Sequence, residues 1–110
     1  ELAACAAARV QLADPAFQAE LARLRSLPAV DYAGVARAKL GVLRLLHGQF
    51  RRDHLERGDA RGLAFEAWRA ARGETLERHA LFEAIDEVMR QRREAVGGWL
   101  SWPPAYHDPQ

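Results

Sequence analysis

The sequence predicts an all-α fold, and two observations support this prediction. Apolar residues recur with a period near 3.6 along nearly the whole chain, and no stretch alternates strictly between apolar and polar residues, as a half-buried strand would. Residues that start and end helices interrupt this pattern at short intervals. We therefore expect a compact bundle or cluster of about four to five helices, with an extended strip rich in tryptophan and proline at the C-terminus.

Two aspartates mark helix starts in the first half of the chain. Asp14 precedes Pro15, a favoured residue at the first helical position, and this helix is expected to end near Pro28. Asp31 can cap the next helix, which is the longest, while a weaker helix is expected before Asp14. The apolar stripe of the long helix comprises Tyr32, Val35, Ala36, Leu40, Leu43, Leu46 and Phe50.

Glycines divide the second half of the chain. Gly58 ends the long helix, and Asp59 can cap a shorter helix with aromatic residues on one face. Gly73 marks a bend or a C-cap, and the Gly97-Gly98 pair ends the last helix. The apolar residues of that last helix are Leu76, Ala80, Leu81, Ile85, Val88 and Met89.

The C-terminal strip holds two of the three tryptophans. Pro103 and Pro104 lack backbone donors and disfavour the α conformation at each preceding residue, so Trp102 and Pro103 are expected to be extended or turned. Two indoles and a phenol on such a strip need a surface to pack on. Trp99, Trp102 and Tyr106 are therefore expected to fold back onto the helices or to pack on a partner.

Composition limits the classes of function. A formal net charge of +1 on 110 residues leaves no single-sign field that would capture nucleic acid or anionic lipid. The single cysteine, Cys5, excludes an internal disulfide, and no apolar run approaches the ~20 residues that span a bilayer. Because the chain does not start with methionine, we expect it to be a piece of a longer protein. From the cysteine count, the balanced charge and the lack of a long apolar run, we expect a cytoplasmic location and no nucleic-acid or membrane partner.

Few residues invite a chemical interpretation. His47 and His54 are seven residues apart, whereas helical metal ligands usually lie three or four apart, so hydrogen-bonded, partly solvated histidines are favoured. Glu83, Asp86 and Glu87 resemble an acid/base cluster but alternate with apolar positions, as on a solvated helix face. We therefore expect no catalytic residue, no metal site and no cofactor in this chain.

Three segments in order resemble the helical region of the 4-α-glucanotransferases (amylomaltases, glycoside hydrolase family 77). The first is a Val-Asp-Tyr start with a lysine eight residues after the aspartate, the second an Ala-Leu-Phe turn, and the third a Trp-x-x-Trp-Pro strip. The motif residues outside the two strip tryptophans are Asp31, Tyr32, Lys39, His79, Phe82 and Pro103. The resemblance implies a variable lead-in at residues 1–29, a helical subdomain body at 30–96 and an aromatic and proline strip at 97–110.

The resemblance implies a parent enzyme that transfers α-1,4-glucan segments between maltooligosaccharides by a retaining mechanism on a (β/α)8 barrel. The family's catalytic carboxylates lie downstream of this region, so the resemblance implies that this piece is inactive by itself. It would form a wall of the glucan groove, and its partner would be the catalytic barrel of the parent chain. Trp99, Trp102 and Tyr106 are then candidates for glucan contact, and packing under the helices is the favoured alternative. Asp31 is most simply a helix cap, and Lys39 can pair with an acid of the parent domain.

Two other functions stay open from the sequence. A small helical protein-interaction module unrelated to carbohydrate would account for the helices, the balanced charge and the aromatic strip. A free-standing glucan-binding module would predict weak maltooligosaccharide affinity for this chain alone. The interaction-module hypothesis does not explain why three family motifs occur in order.

Overall fold

The computed structural model describes residues 2–92 and 98–107, and every regular element within these ranges is helical. The prediction of an all-α fold is therefore confirmed, including the short helix before Asp14. The α-helices are α1 (Ala6–Ala13), α2 (Pro15–Ser26), α3 (Tyr32–Phe50) and α4 (Ala60–Gln91). A π-helical turn at Arg51–Leu55 follows α3, and single 3-10 turns cover Trp99–Ser101 and Pro104–Tyr106.

Aspartate side chains begin three of these helices, as predicted. The carboxylate of Asp14 accepts hydrogen bonds from the first backbone N–H groups of α2 at 3.3 Å. Asp31 Oδ1 accepts from the backbone N–H of Gly34 at 2.8 Å, and Asp59 Oδ1 accepts from that of Gly62 at 2.9 Å. These bonds satisfy donors that a helix start otherwise leaves without partners, so each start is determined locally.

Residues 1–64 form one compact unit, called here the N-terminal unit. In it α1, α2 and α3 pack on one another in pairs. Cys5 is 1% exposed, and its Sγ lies 3.6 Å from the carbonyl oxygen of Leu45 in α3, so this thiol is part of the packing between the start of α1 and α3. The predicted stripe of α3 is only partly buried, however, because Tyr32 and Leu43 remain 79% and 55% exposed.

Residues 65–110 form the second compact unit, called here the C-terminal unit. Its buried apolar side chains within the described ranges are Met89, 1% exposed, and Trp102, 4% exposed. The predicted bend at Gly73 is confirmed, since its φ of 59° and ψ of −151° interrupt α4 in a region open essentially to glycine alone. The predicted helix end at Gly97 lies outside the described residues.

Within its described residues, 98–107, the C-terminal strip is extended at its centre. Trp102 has φ −68° and ψ 155°, and Pro103 has φ −54° and ψ 143°, as the consecutive prolines predict. On each side of this pair the chain makes one 3-10 turn, which a strip extended throughout would lack. Backbone bonds from Trp102 N to Trp99 O and from Tyr106 N to Pro103 O close these turns at 3.1 and 2.9 Å.

The family resemblance predicts three segments, at residues 1–29, 30–96 and 97–110. The division of the chain into two compact units falls elsewhere in the sequence, after Ala64. The segmentation therefore stays a prediction, and its second boundary lies outside the described residues. Among the helices that the structure describes, none combines the length and the apolar character needed to cross a bilayer.

Candidate functional site

The aromatic strip, defined as residues 99–107, contacts α4 through an aromatic ring pair. The centroids of the Phe82 and Trp102 rings are 5.1 Å apart with an interplanar angle of 34°. Trp102 is almost wholly buried, and among the described residues its Nε1 has no hydrogen-bond partner. Trp102 therefore packs as an apolar anchor, and its indole N–H is left for an acceptor that this part of the chain does not supply.

The other two aromatic candidates of the strip are accessible. Trp99 is 48% exposed and Tyr106 is 43% exposed. The Trp99 ring meets His107 edge-on, with centroids 6.2 Å apart and an interplanar angle of 82°. Because nearly half of Trp99 is exposed, it can offer an apolar surface to a ligand.

The motif residues fall into two groups. In the C-terminal unit the structure brings Phe82 together with Trp102, next to Pro103, while His79 lies exposed on α4. In the N-terminal unit Asp31 begins α3, and Tyr32 is exposed in the first turn of that helix. Lys39 is exposed about two turns further along α3. Those three residues are separate in function: one is a cap and two are surface side chains.

Asp31 has electrostatic partners in addition to its capping role. Arg23 Nη2 lies 3.6 Å from Asp31 Oδ2, and Arg23 also binds Glu20 at 2.7 Å, so one guanidinium links α2 to the start of α3. The backbone N–H of Gly34 and the nearby Arg23 hold the pKa of Asp31 below its ordinary value. The Arg23 hydrogen bond likewise lowers the pKa of Glu20.

A histidine–carboxylate pair joins the π-helical turn to the start of α4, and sequence inspection missed it. His54 Nδ1 lies 2.7 Å from Asp59 Oδ2, while the other oxygen of Asp59 caps the helix. The N–H of Gly62 and then His54 lower the pKa of Asp59. A five-residue spacing across a turn carries no periodic signal, which is why only the tertiary geometry shows the pair.

The remaining chemical candidates have ordinary structural roles. His54 is partly buried and hydrogen-bonded, as predicted, whereas His47 is exposed. Asp86 Oδ2 lies 2.8 Å from Arg90 Nη2 one turn on, an ion pair on the helix surface, and Glu83 is exposed. The described ranges hold no group of three side chains that could bind a metal ion.

The comparisons with known proteins identify the family. No solved structure matches the chain. The family described as 4-α-glucanotransferase matches residues 3–110, which includes the lead-in before Val30 as well as the three motifs. A match over nearly the whole chain is independent of any one motif, and it confirms the resemblance on which the sequence prediction relied. The chain therefore belongs to the 4-α-glucanotransferase family.

Proposed function

We propose that this chain is the helical subdomain of an enzyme that transfers α-1,4-glucan segments between maltooligosaccharides with retention of configuration. The observation that carries the proposal is the family match over residues 3–110. A small interaction module unrelated to carbohydrate does not account for that match. A cytoplasmic location is part of the same proposal, and the single cysteine fits a reducing compartment of that kind.

The proposed role is non-catalytic. A retaining transfer needs two carboxyl groups about 5 Å apart, held by rigid elements on either side of the scissile bond. The family resemblance locates these groups on a barrel that is absent from this chain. The acids available here, such as Asp31 and Asp86, are instead committed to a helix cap and to a helix-surface ion pair.

The exposed aromatic faces provide the proposed glucan contact. Glucose rings have apolar faces that stack on indole and phenol rings, and Trp99 and Tyr106 are each nearly half exposed. Trp102, packed on Phe82, would hold the strip in place rather than touch sugar. A wall of this kind beside the groove would also help to exclude water, so that a glucan hydroxyl rather than water attacks the intermediate.

A titration with maltoheptaose followed by heteronuclear NMR tests this division of roles. We expect saturable shifts at the Trp99 indole and at Tyr106, and a loss of most of the response in Trp99→Ala. The matched control is Trp68→Ala, because Trp68 is 47% exposed on α4 and lies outside the strip. Unchanged spectra at millimolar sugar would mean that the strip serves packing only, and the glucan-contact role would be lost.

Catalytic inactivity is tested separately on the same chain. We expect no release of glucose and no change in maltoheptaose chain length when the chain is incubated with sugar, by chromatography of the products. Any disproportionation by the purified chain would contradict the non-catalytic role, whatever the NMR titration shows.

A further inference from the structure

An open apolar groove of about 740 Å³ lies in the N-terminal unit. Its lining is almost entirely aliphatic and aromatic, and the loop between α2 and α3 contributes Leu27, Pro28 and Val30 to it. Val30 is 61% exposed and Leu43, also in the lining, is 55% exposed. So much uncovered apolar surface in one concave place is typical of a binding surface.

The spacing of the lining residues indicates the shape of an occupant. α2 contributes Phe17, Leu21 and Leu24, and α3 contributes Val35, Ala38 and Val42. Both sets repeat at intervals of three and four residues over seven positions, or about 10 Å along each helix axis. A cleft of two turns between packed helices matches the apolar face of a third helix, with its own anchors at the same spacing.

The charge of the lining indicates the polar part of an occupant. Arg25 and Lys39 are the charged residues of the groove, and both are exposed cations. Within the described part of the chain neither forms an ion pair, whereas the neighbouring Arg23 binds both Glu20 and Asp31. A complementary partner therefore carries a carboxylate beside its apolar face.

We propose that this groove binds an amphipathic α-helix whose apolar residues fill the cleft and whose acidic side chain pairs with Lys39. The helix comes from the catalytic part of the same glucanotransferase, so the groove is a docking surface between the helical subdomain and the rest of the enzyme. The claim that the helix comes from the same enzyme rests on the proposed function. The claim that the groove fits an acidic amphipathic helix does not rest on it.

A charge-reversal experiment on this chain tests the fit. The probe is a synthetic, fluorescently labelled 14-residue helix with leucines at positions 4, 7, 8 and 11 and one glutamate flanking them, read by anisotropy. We expect saturable binding, a loss of about fivefold or more in affinity in Lys39→Glu, and recovery when the peptide's glutamate is replaced by lysine. Arg9→Glu is the matched control, since Arg9 is exposed on α1 outside the groove lining, and it should bind like the unaltered chain.

Three results would overturn the fit. Equal affinity of the unaltered chain for the glutamate and lysine peptides would show that Lys39 recognises no carboxylate. Displacement of the peptide by dodecanoate at lower concentration would assign the groove to an anionic amphiphile. Light scattering that shows dimers, lost in Leu43→Glu, would assign it to a second copy of the chain.

Thiol labelling tests the source of the helix. Leu43→Cys places a reactive group in the groove, Val10→Cys places one on α1 at a residue 71% exposed, and the native Cys5 is buried and should react slowly. We expect Leu43→Cys to react at least about tenfold more slowly in the full-length enzyme than in this chain, and Val10→Cys to react equally in both.

Equal labelling of Leu43→Cys in the two proteins would overturn the proposed source. That outcome is separate from failure of the proposed function, because glucan binding is read at Trp99 and Tyr106 and glucan transfer is read from products. Neither of those measurements depends on a groove formed by α2 and α3.

Discussion

The two units of this chain are stabilised in different ways. In the N-terminal unit three short helices pack in pairs, and the buried apolar side chains within its described part are small, those of Cys5 and Ala8. In the C-terminal unit the buried side chains are large, those of Met89 and Trp102. Hydrogen bonds from aspartates begin helices in the first unit, and in the described part of the second unit a contact between the rings of Phe82 and Trp102 joins α4 to the strip.

The difference follows from how much apolar surface each residue type can bury. A tryptophan removes about 150–250 Å² from water, several times the contribution of an alanine or a cysteine. Removing the Trp102 ring would therefore remove its contact with Phe82 and expose the apolar surface that this nearly buried side chain covers. Among the described residues of the N-terminal unit, by contrast, the buried apolar side chains are the small ones of Cys5 and Ala8.

The largest effect is expected from Trp102→Ala, which would break the C-terminal unit. Loss of a buried tryptophan costs about 3–5 kcal/mol of unfolding free energy, enough to release the aromatic strip from α4. Urea unfolding and the NMR shift of the Phe82 ring measure the stability and the contact. The cap hydrogen bonds of the N-terminal unit should persist in the same sample.

Two further variants control this prediction. Trp99→Ala should cost about half as much as Trp102→Ala, because nearly half of Trp99 is already in water. Trp102→Phe should be milder than Trp102→Ala, since it keeps an apolar ring at the contact and removes an indole N–H without a partner among the described residues. Equal destabilisation by the alanine variants at positions 99 and 102 would refute the anchoring role of Trp102.

An intermediate effect is expected in the N-terminal unit from Gly62→Ala. A Cβ on Gly62 would overlap the carbonyl group of His54, which cannot move without disturbing the backbone of the π-helical turn. Overpacking of this kind costs about 1–3 kcal/mol. Gly41→Ala is the control, because a Cβ there meets nothing within 4 Å and should stabilise α3 by about 0.5–1 kcal/mol. Thermal unfolding compares the two, and the same sign for both would contradict this account.

The smallest effect is a pH dependence confined to the N-terminal unit. Hydrogen bonds lower the pKa of Asp59 and Asp31 in the folded chain, so their contribution is present above the ordinary carboxyl pKa near 4. It is lost as the pH falls below that value through the folded pKa. We expect backbone protection at Gly34 and Gly62 to decline below about pH 4, while the Phe82–Trp102 contact stays unchanged.

Asp59→Asn sharpens this test. Asparagine can still accept from the Gly62 N–H but carries no charge, so the decline at Gly62 should disappear and that at Gly34 should remain. Hydrogen exchange between pH 2.5 and 6, corrected for intrinsic rates, measures both. A decline at Gly62 that persists in Asp59→Asn would trace the acid sensitivity to another group.

Much of the helical organisation was predictable because its signals are local. Asp14, Asp31 and Asp59 each lie just before a helix and accept its first N–H groups, and Gly73 takes a backbone conformation open essentially to glycine. The strip was predictable only at Trp102, where the following proline restricts the backbone. The 3-10 turns on either side depend on hydrogen bonds that no short pattern encodes.

The sequence by itself determined that this chain is helical, where its helices begin, and to which family it belongs, because caps, periodicity and ordered motifs act over a few residues at a time. Only the tertiary structure decided which aromatic ring of the strip is buried, that His54 pairs with Asp59, and that α2 and α3 enclose a cationic, apolar groove. Burial and charge pairing depend on distances across turns and between helices. Those distances are set by tertiary packing, which a short sequence pattern does not specify.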